Sequence, residues 1–212
     1  MCVADATMRV PLGDHGQFPT TWIPYDPIQT RIASLFCDTA RMSSDNLLEM
    51  SLEHNAWATR EVLRACAKLG DEAWHRRFEI GPGSLHDTLT HVVGAMFRWA
   101  DRIDGPPRVM RPSIEDGSRR TPAEVLALLD GAAADLMASA ARARERGLST
   151  VLDVTVGGSS YRFTLGAMLL HVTTHGVHHR AQCLNMLRHL GAAGVSDRIL
   201  EIDALDWAAT RG

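Results

Sequence analysis

The sequence predicts an all-α fold: a four-helix bundle with a small β-hairpin before its last bundle helix and an N-terminal extension. Three observations carry this. Four stretches space their apolar residues three and four positions apart, the pattern of an amphipathic helix. One short stretch before the fourth breaks that period and alternates about a glycine pair. Residues 1–43 hold Pro11, Pro19, Pro24 and Pro27, and their helix-like piece is confined to Ile28–Met42.

That opening segment reads as an extension laid outside the main domain, which is expected over residues 44–208. Trp22 and Tyr25 beside Pro24 either anchor it, as amphipathic aromatics do, or belong to a partly disordered arm. From Ser44 onward Leu47, Leu48, Leu52, Trp57, Val62, Leu63, Cys66 and Leu69 form an apolar stripe. Gly70 then reads as a C-cap, so the first helix is expected to run to that point. Asp71 to Gly83 is expected to be a connection. Ser84-Leu-His-Asp87 starts the second helix, with the serine oxygen facing a free backbone N–H and an acid in the first turn. Leu85, Leu89, Val92, Val93, Met96, Phe97, Trp99 and Ile103 continue it until Gly105-Pro106-Pro107 stops it.

A polar loop to Arg120 follows, long enough to cross one end of a bundle. Thr121-Pro122-Ala-Glu124 is a helix start with proline in the first turn, and Val125, Leu126, Leu128, Leu129, Leu136 and Met137 form the third stripe. Its tail, Arg142, Arg144 and Arg146, reads as a solvated helix end, where cations are favoured. Leu152 to Thr164 alternates around Gly157-Gly158 as two short strands. The fourth helix is expected from Leu165 to Leu190, ended by Gly191, and a short helix from Ser196 to Ala208 finishes the domain.

Composition narrows the function. At 212 residues with 45% hydrophobic side chains, there is material for one well-filled core. A net charge of -3 with interspersed signs provides no basic stripe for phosphates, which argues against a nucleic-acid partner. Cys2, Cys37, Cys66 and Cys183 contain no Cys-x-x-Cys pair, so neither a zinc knuckle nor a disulfide framework is expected, and a reducing cytoplasm fits. No apolar run approaches the ~20 residues that span a bilayer, and no membrane partner is expected.

The chemistry concentrates in the fourth helix. At about 100° per residue, His171, His175, His178, His179 and Gln182 fall within one arc. Desolvated imidazoles are costly unless each nitrogen has a partner, so four of them on one face point to a metal, with His175 and His179 one turn apart on the same ion. A catalytic metal commonly takes three protein ligands. His91, central on a helix able to face the fourth, is the expected third, with His54 in reserve; His86 lies too near its helix start and His75 in a connection. Arg180 falls on the opposite side of the helix and is expected to form a structural ion pair.

From about Ser44 to Trp207 the chain resembles the DinB/YfiT-like family of metal-binding four-helix bundles. It carries that family's His-x-x-x-His-Arg-x-Gln pattern at His175 to Gln182 and a Ser-x-x-Asp-x-Leu-x-His start at Ser84 to His91. Ala181 stands where many members have glycine, a small-for-small change, and residues 1–43 lie outside the family domain, where they would cover the site or serve as a dimer arm. The resemblance implies an up-down-down-up bundle with one divalent metal, zinc or nickel, on His91, His175 and His179. It also implies chemistry with low-molecular-weight thiols such as bacillithiol, mycothiol or glutathione, used by characterised transferases and isomerases of the family.

The expected function is therefore metal-dependent thiol S-transfer to small electrophiles, by a homodimer acting on a small-molecule substrate. Gln182, His171 and His178 are candidates to orient a bound ligand or carry a proton. Two other readings compete: a non-catalytic, stress-associated metal-binding bundle, and a metal-dependent hydrolase. No glutamate accompanies the His175/His179 pair, unlike the His-Glu-x-x-His hydrolases.

Overall fold

The computed structural model describes residues 44–192 and 202–211. Within them, helix α1 spans Ser44–Cys66, α2 Asp71–His75, α3 Leu85–Asp104 and α4 Pro122–Arg146. Strands β1 (Val151–Val156) and β2 (Ser159–Thr164) follow, then α5 (Leu165–His189) and α6 (Ala204–Ala209). The expected extension, with its Ile28–Met42 piece, Trp22 and Tyr25, lies outside the described residues, as does the start of the expected Ser196–Ala208 helix.

Local signals set most boundaries. Ser84 Oγ accepts from the Asp87 N–H at 3.0 Å. Thr121 and Glu124 form a reciprocal capping box, the Glu124 N–H reaching Thr121 Oγ1 at 3.2 Å and the Thr121 N–H reaching Glu124 Oε2 at 2.7 Å. At the third start, Thr164 Oγ1 accepts from the Ala167 N–H at 3.1 Å. Each satisfies a backbone donor that a helix start leaves unpaired.

Gly70 departs from expectation. The first helix ends a turn earlier, at Cys66, and Gly70, with φ −70° and ψ 160°, caps the start of α2 instead. Its extended backbone turns the chain into Asp71–His75, whose Trp74 is buried and donates its indole N–H to the Arg120 carbonyl at 2.8 Å. The segment expected as plain connection is thus pinned through a helical turn.

Four long helices close into a ring in which α1 packs on α4 and α5, and α3 packs on the same two. Directions follow from which ends meet. Arg120 beside His86 joins the starts of α3 and α4, and Arg142 and Arg146 beside Asp104 join their ends, so these two run parallel. Phe163, just ahead of α5, reaches Trp99 near the end of α3, so α5 runs antiparallel to α3. Leu48 and Leu52 near the start of α1 lie beside Met137 and Ala140 near the end of α4, which completes the up-down-down-up order. Buried Leu63, Leu89, Met96, Leu129, Leu136, Leu169 and Met186 fill the interior.

The arginine tail of α4 is not simply solvated. Arg142 and Ser139 both donate to the Asp104 carboxylate, at 2.8 and 2.9 Å, and Arg146 donates to the Ile103 carbonyl at 2.7 Å. Because α3 and α4 run parallel, their C-terminal carbonyls point the same way, and guanidinium groups are favoured there. The two-stranded sheet pairs Val151 with Thr164 and Val156 with Ser159 around Gly157 and Gly158, both at positive φ. Cys66 and Cys183 are free and buried, and no helix among the described residues is long and apolar enough to cross a membrane.

Candidate metal centre

Where α3 faces α5, His91, His175 and His179 converge. One ring nitrogen from each lies within 4.8 Å of the others, the His91 and His175 Nε2 atoms are 3.1 Å apart, and the ring centroids are separated by 4.3 to 4.9 Å. All three rings are half-buried. Among the described residues no other group of metal-binding side chains assembles in this way.

Partners behind the rings orient them. His91 Nδ1 lies 2.7 Å from Glu115 Oε2, and His179 Nδ1 lies 2.8 Å from Gln182 Oε1. An oxygen acceptor at Nδ1 places the ring proton there and leaves the Nε2 lone pair directed at the cluster. Burial, followed by the charges of the neighbouring His179 and His91 rings, pushes His175 down to about 3. Burial likewise lowers His179, against the opposing effect of its bond to Gln182. His175 and His179 are therefore held neutral, the form that binds metal.

This donor set fits a divalent ion. Zinc–imidazole bonds run at about 2.0–2.1 Å in tetrahedral geometry, which places ligand nitrogens a little over 3 Å apart. Two nitrogens already stand at 3.1 Å; without an ion they would have to share a proton across that gap.

The expected supporting residues divide. Gln182 bridges two histidines: its Oε1 meets His179, and its Nε2 lies 3.0 Å from His178 Nε2. Gly81, at φ +51°, has no side chain where Gln182 lies, and a Cβ there would overlap the Gln182 amide. His178 is exposed. His171 stands at the other end of the row, its ring 5.5 Å from His175 and 4.9 Å from Trp99.

His54, His75 and His86 are occupied elsewhere. The reserve candidate His54 lies 2.9 Å from the Ile202 carbonyl and beside the rings of Trp57 and Trp207. His86 bonds Asp87 and accepts from the Arg120 N–H, with His75 4.8 Å from its ring. Both serve the α2 and α3 junction.

Arg180 corrects the sequence reading. It is 3% exposed, but its guanidinium donates to Asn55 Oδ1 at 2.6 Å and Thr59 Oγ1 at 3.1 Å, so its partners are neutral groups of α1 and not a carboxylate. Burial lowers it to about 10, which leaves it charged at neutral pH. The angular count correctly put it behind the histidine face, but that side proved to be an interface with α1 and not solvent.

Glu115 was missed. It lies in the loop after α3, where no spacing rule points to it, and it also pairs with Arg98. Arg98 is seven residues after His91 on the same helical face, and that spacing was the available signal. Burial raises the Glu115 carboxyl, but His91 and Arg98 together hold it below the ordinary glutamate value. It is an ionised acceptor for His91.

Beside the triad, between the hairpin and the bundle, a hollow of about 360 Å3 is lined by Trp99, Val156, Phe163, Met168 and His171. No curated protein matches the chain. The model of the DinB family does match, over residues 42–205, the span that contains the ring of helices, the hairpin and all three converging histidines. The chain belongs to the DinB family.

Proposed function

We propose that the protein is a divalent-metal-dependent S-transferase that joins a low-molecular-weight thiol, through its sulfur, to small electrophiles, with zinc or nickel held by His91, His175 and His179. The observation that carries this reading is the convergence of three imidazole donors and no fourth among the described residues, next to a hollow of substrate size. Sites that hold an ion only for structure usually close four protein ligands around it, whereas catalytic ones keep a position free. An ion held here would favour the thiolate of a bound thiol, the reactive form of sulfur.

The chain's own groups do the rest. Glu115 and Gln182 fix two rings through their Nδ1 atoms. His178, exposed, accepts from the Gln182 amide and so holds Gln182 in place, and the thiol proton passes to solvent. Sulfur bonds the electrophilic carbon as the leaving group departs with its electron pair. Hydrolysis is the weaker reading, because the carboxylate at the triad, Glu115, is already engaged by His91 and Arg98 and is not free to activate water. Leu170 and Val177, exposed on one side of α5, support a homodimer, and the free cysteines support a cytoplasmic setting.

The test is metal analysis of protein purified without an affinity tag, with assays pairing several small thiols with several electrophiles. One ion per chain and turnover are expected, and both are lost in His175→Ala. Metal content unchanged by that substitution would overturn the centre. A metal-loaded protein inert toward every pair would overturn transfer and leave the non-catalytic binding role.

A further inference from the structure

The hollow beside the triad has a composition that the metal does not account for. Tyr161 and Phe163, two positions apart on β2, point to the same face, and their rings stack 10° from parallel at 5.5 Å. Trp99 from α3 stands across from them, 6.5 Å from Phe163, and Met168 of α5 joins the lining. Trp99 and Phe163 are tilted 58° to each other and in contact, so the three rings form one continuous aromatic lining of the hollow, a slot in which a ligand ring can lie in the offset or edge contacts such groups prefer. The volume, about 360 Å3, lies in the range of small-molecule sites.

One residue, His171, stands between the slot and the centre. His171 lines the hollow and contacts both Trp99 and His175, so a ligand in the slot has its near end against the histidine row. Arg102 lies over the Trp99 ring at 5.1 Å and donates to the Thr155 carbonyl. A cation held against the Trp99 ring, close to the hollow, disfavours a cationic occupant.

We propose that this slot binds a neutral or anionic aryl group of the electrophilic substrate beside His171, at the end of the histidine row. The inference rests on the transferase reading for its role, but not for its binding. The hairpin is then the part of the molecule that selects the acceptor, with Trp99, Tyr161 and Phe163 as binding residues and His171 at the junction.

The test separates the two proposals. Binding of 2-naphthol, a neutral aryl probe with no leaving group, is measured by calorimetry on the full chain in metal-loaded and chelator-treated forms. Saturable one-to-one binding is expected in both, because the aromatic walls belong to the protein. Ala167 also lines the hollow, and Ala167→Phe fills the slot from within. That variant, and separately Phe163→Ala, should weaken naphthol at least about tenfold, the scale of one or two lost ring contacts or more, while metal content stays at the wild-type value. In the transfer assay, KM for a benzylic electrophile should rise in Ala167→Phe more than KM for a methyl or ethyl analogue. Absence of naphthol binding to the wild type, or equal binding by Ala167→Phe, would overturn the slot whatever the activity. Naphthol binding by a protein that shows no turnover would uphold the slot and overturn only the transferase reading.

Discussion

A single carboxylate shows how much of the centre depends on groups outside it. Glu115 holds His91 by Nδ1 and is held in turn by Arg98, so the ring cannot swing away without breaking a charge-assisted bond. Glu115→Gln keeps the shape but removes the charge, and metal affinity should fall roughly 10- to 100-fold, read by competition with a chromogenic chelator. Affinity equal to wild type would show that His91 is oriented by packing alone. The convergence of the three rings was legible, because His91 and the His175/His179 pair follow from helical periodicity and from the preference of bundles for sites on facing helices. Glu115 was not, because a loop residue reaches its partner by the path of the loop, for which sequence carries no period. Arg180 was half legible: the angle placed it correctly, but the neutral partner Asn55, 125 residues away, has no local mark.

Among the elements, the parallel pair α3 and α4 is the instructive one. Parallel neighbours bring two sets of unpaired terminal carbonyls together, a repulsive arrangement, and here it is answered by arginines. Asp104 organises them, accepting from Ser139, Arg108 and Arg142. Burial raises its carboxyl, but these donors outweigh burial and hold it below the ordinary aspartate value of 3.8. A depressed folded value means the stabilisation is complete above that ordinary value and is lost as pH falls through the folded one. Asp104→Asn should therefore cost about 1–2 kcal/mol at pH 7, discounted for the exposed side of Arg142, and the gap between variant and wild type should close in urea titrations at pH 3 and below. A gap that persists undiminished in acid would mean that shape, not charge, supplies the effect. The sequence marked the basic tail but gave it to solvent, because direction in a bundle is a property of connections and not of any one helix. By contrast the hairpin was fully legible, since a Gly157-Gly158 pair between alternating segments leaves few other backbones open.

For the whole molecule, the centre ties α3 to α5 across 84 positions of sequence. An ion that binds the folded chain and not the unfolded one stabilises by mass action, about 4 kcal/mol at a thousandfold excess over Kd. For a chain of this length that corresponds to roughly 10 °C in Tm. Stripping the metal with a strong chelator should lower Tm by about that amount and restoring zinc should recover it, while His175→Ala should melt at the same temperature with or without the ion. A wild type indifferent to the chelator would mean the bundle closes without it. Periodicity and caps delivered the ring of helices almost entire, and only the handover near Gly70 went differently, because a glycine after an apolar stripe ends one helix or begins the next with equal ease.

The back of α5 carries a consequence of its own. At Gly176 the helix is bare, and a Cβ added there would overlap Asn55 Oδ1, so α1 rests on the backbone one residue past His175. The spacing of these two rods is set where the Asn55 amide, held by Arg180, meets bare main chain, and a side chain at 176 has to displace that pair or roll the helix and swing both of its imidazoles off their common focus. The tolerance of the three-histidine cluster to change is thus decided on the opposite flank, at Asn55 and Thr59 as much as among the histidines themselves.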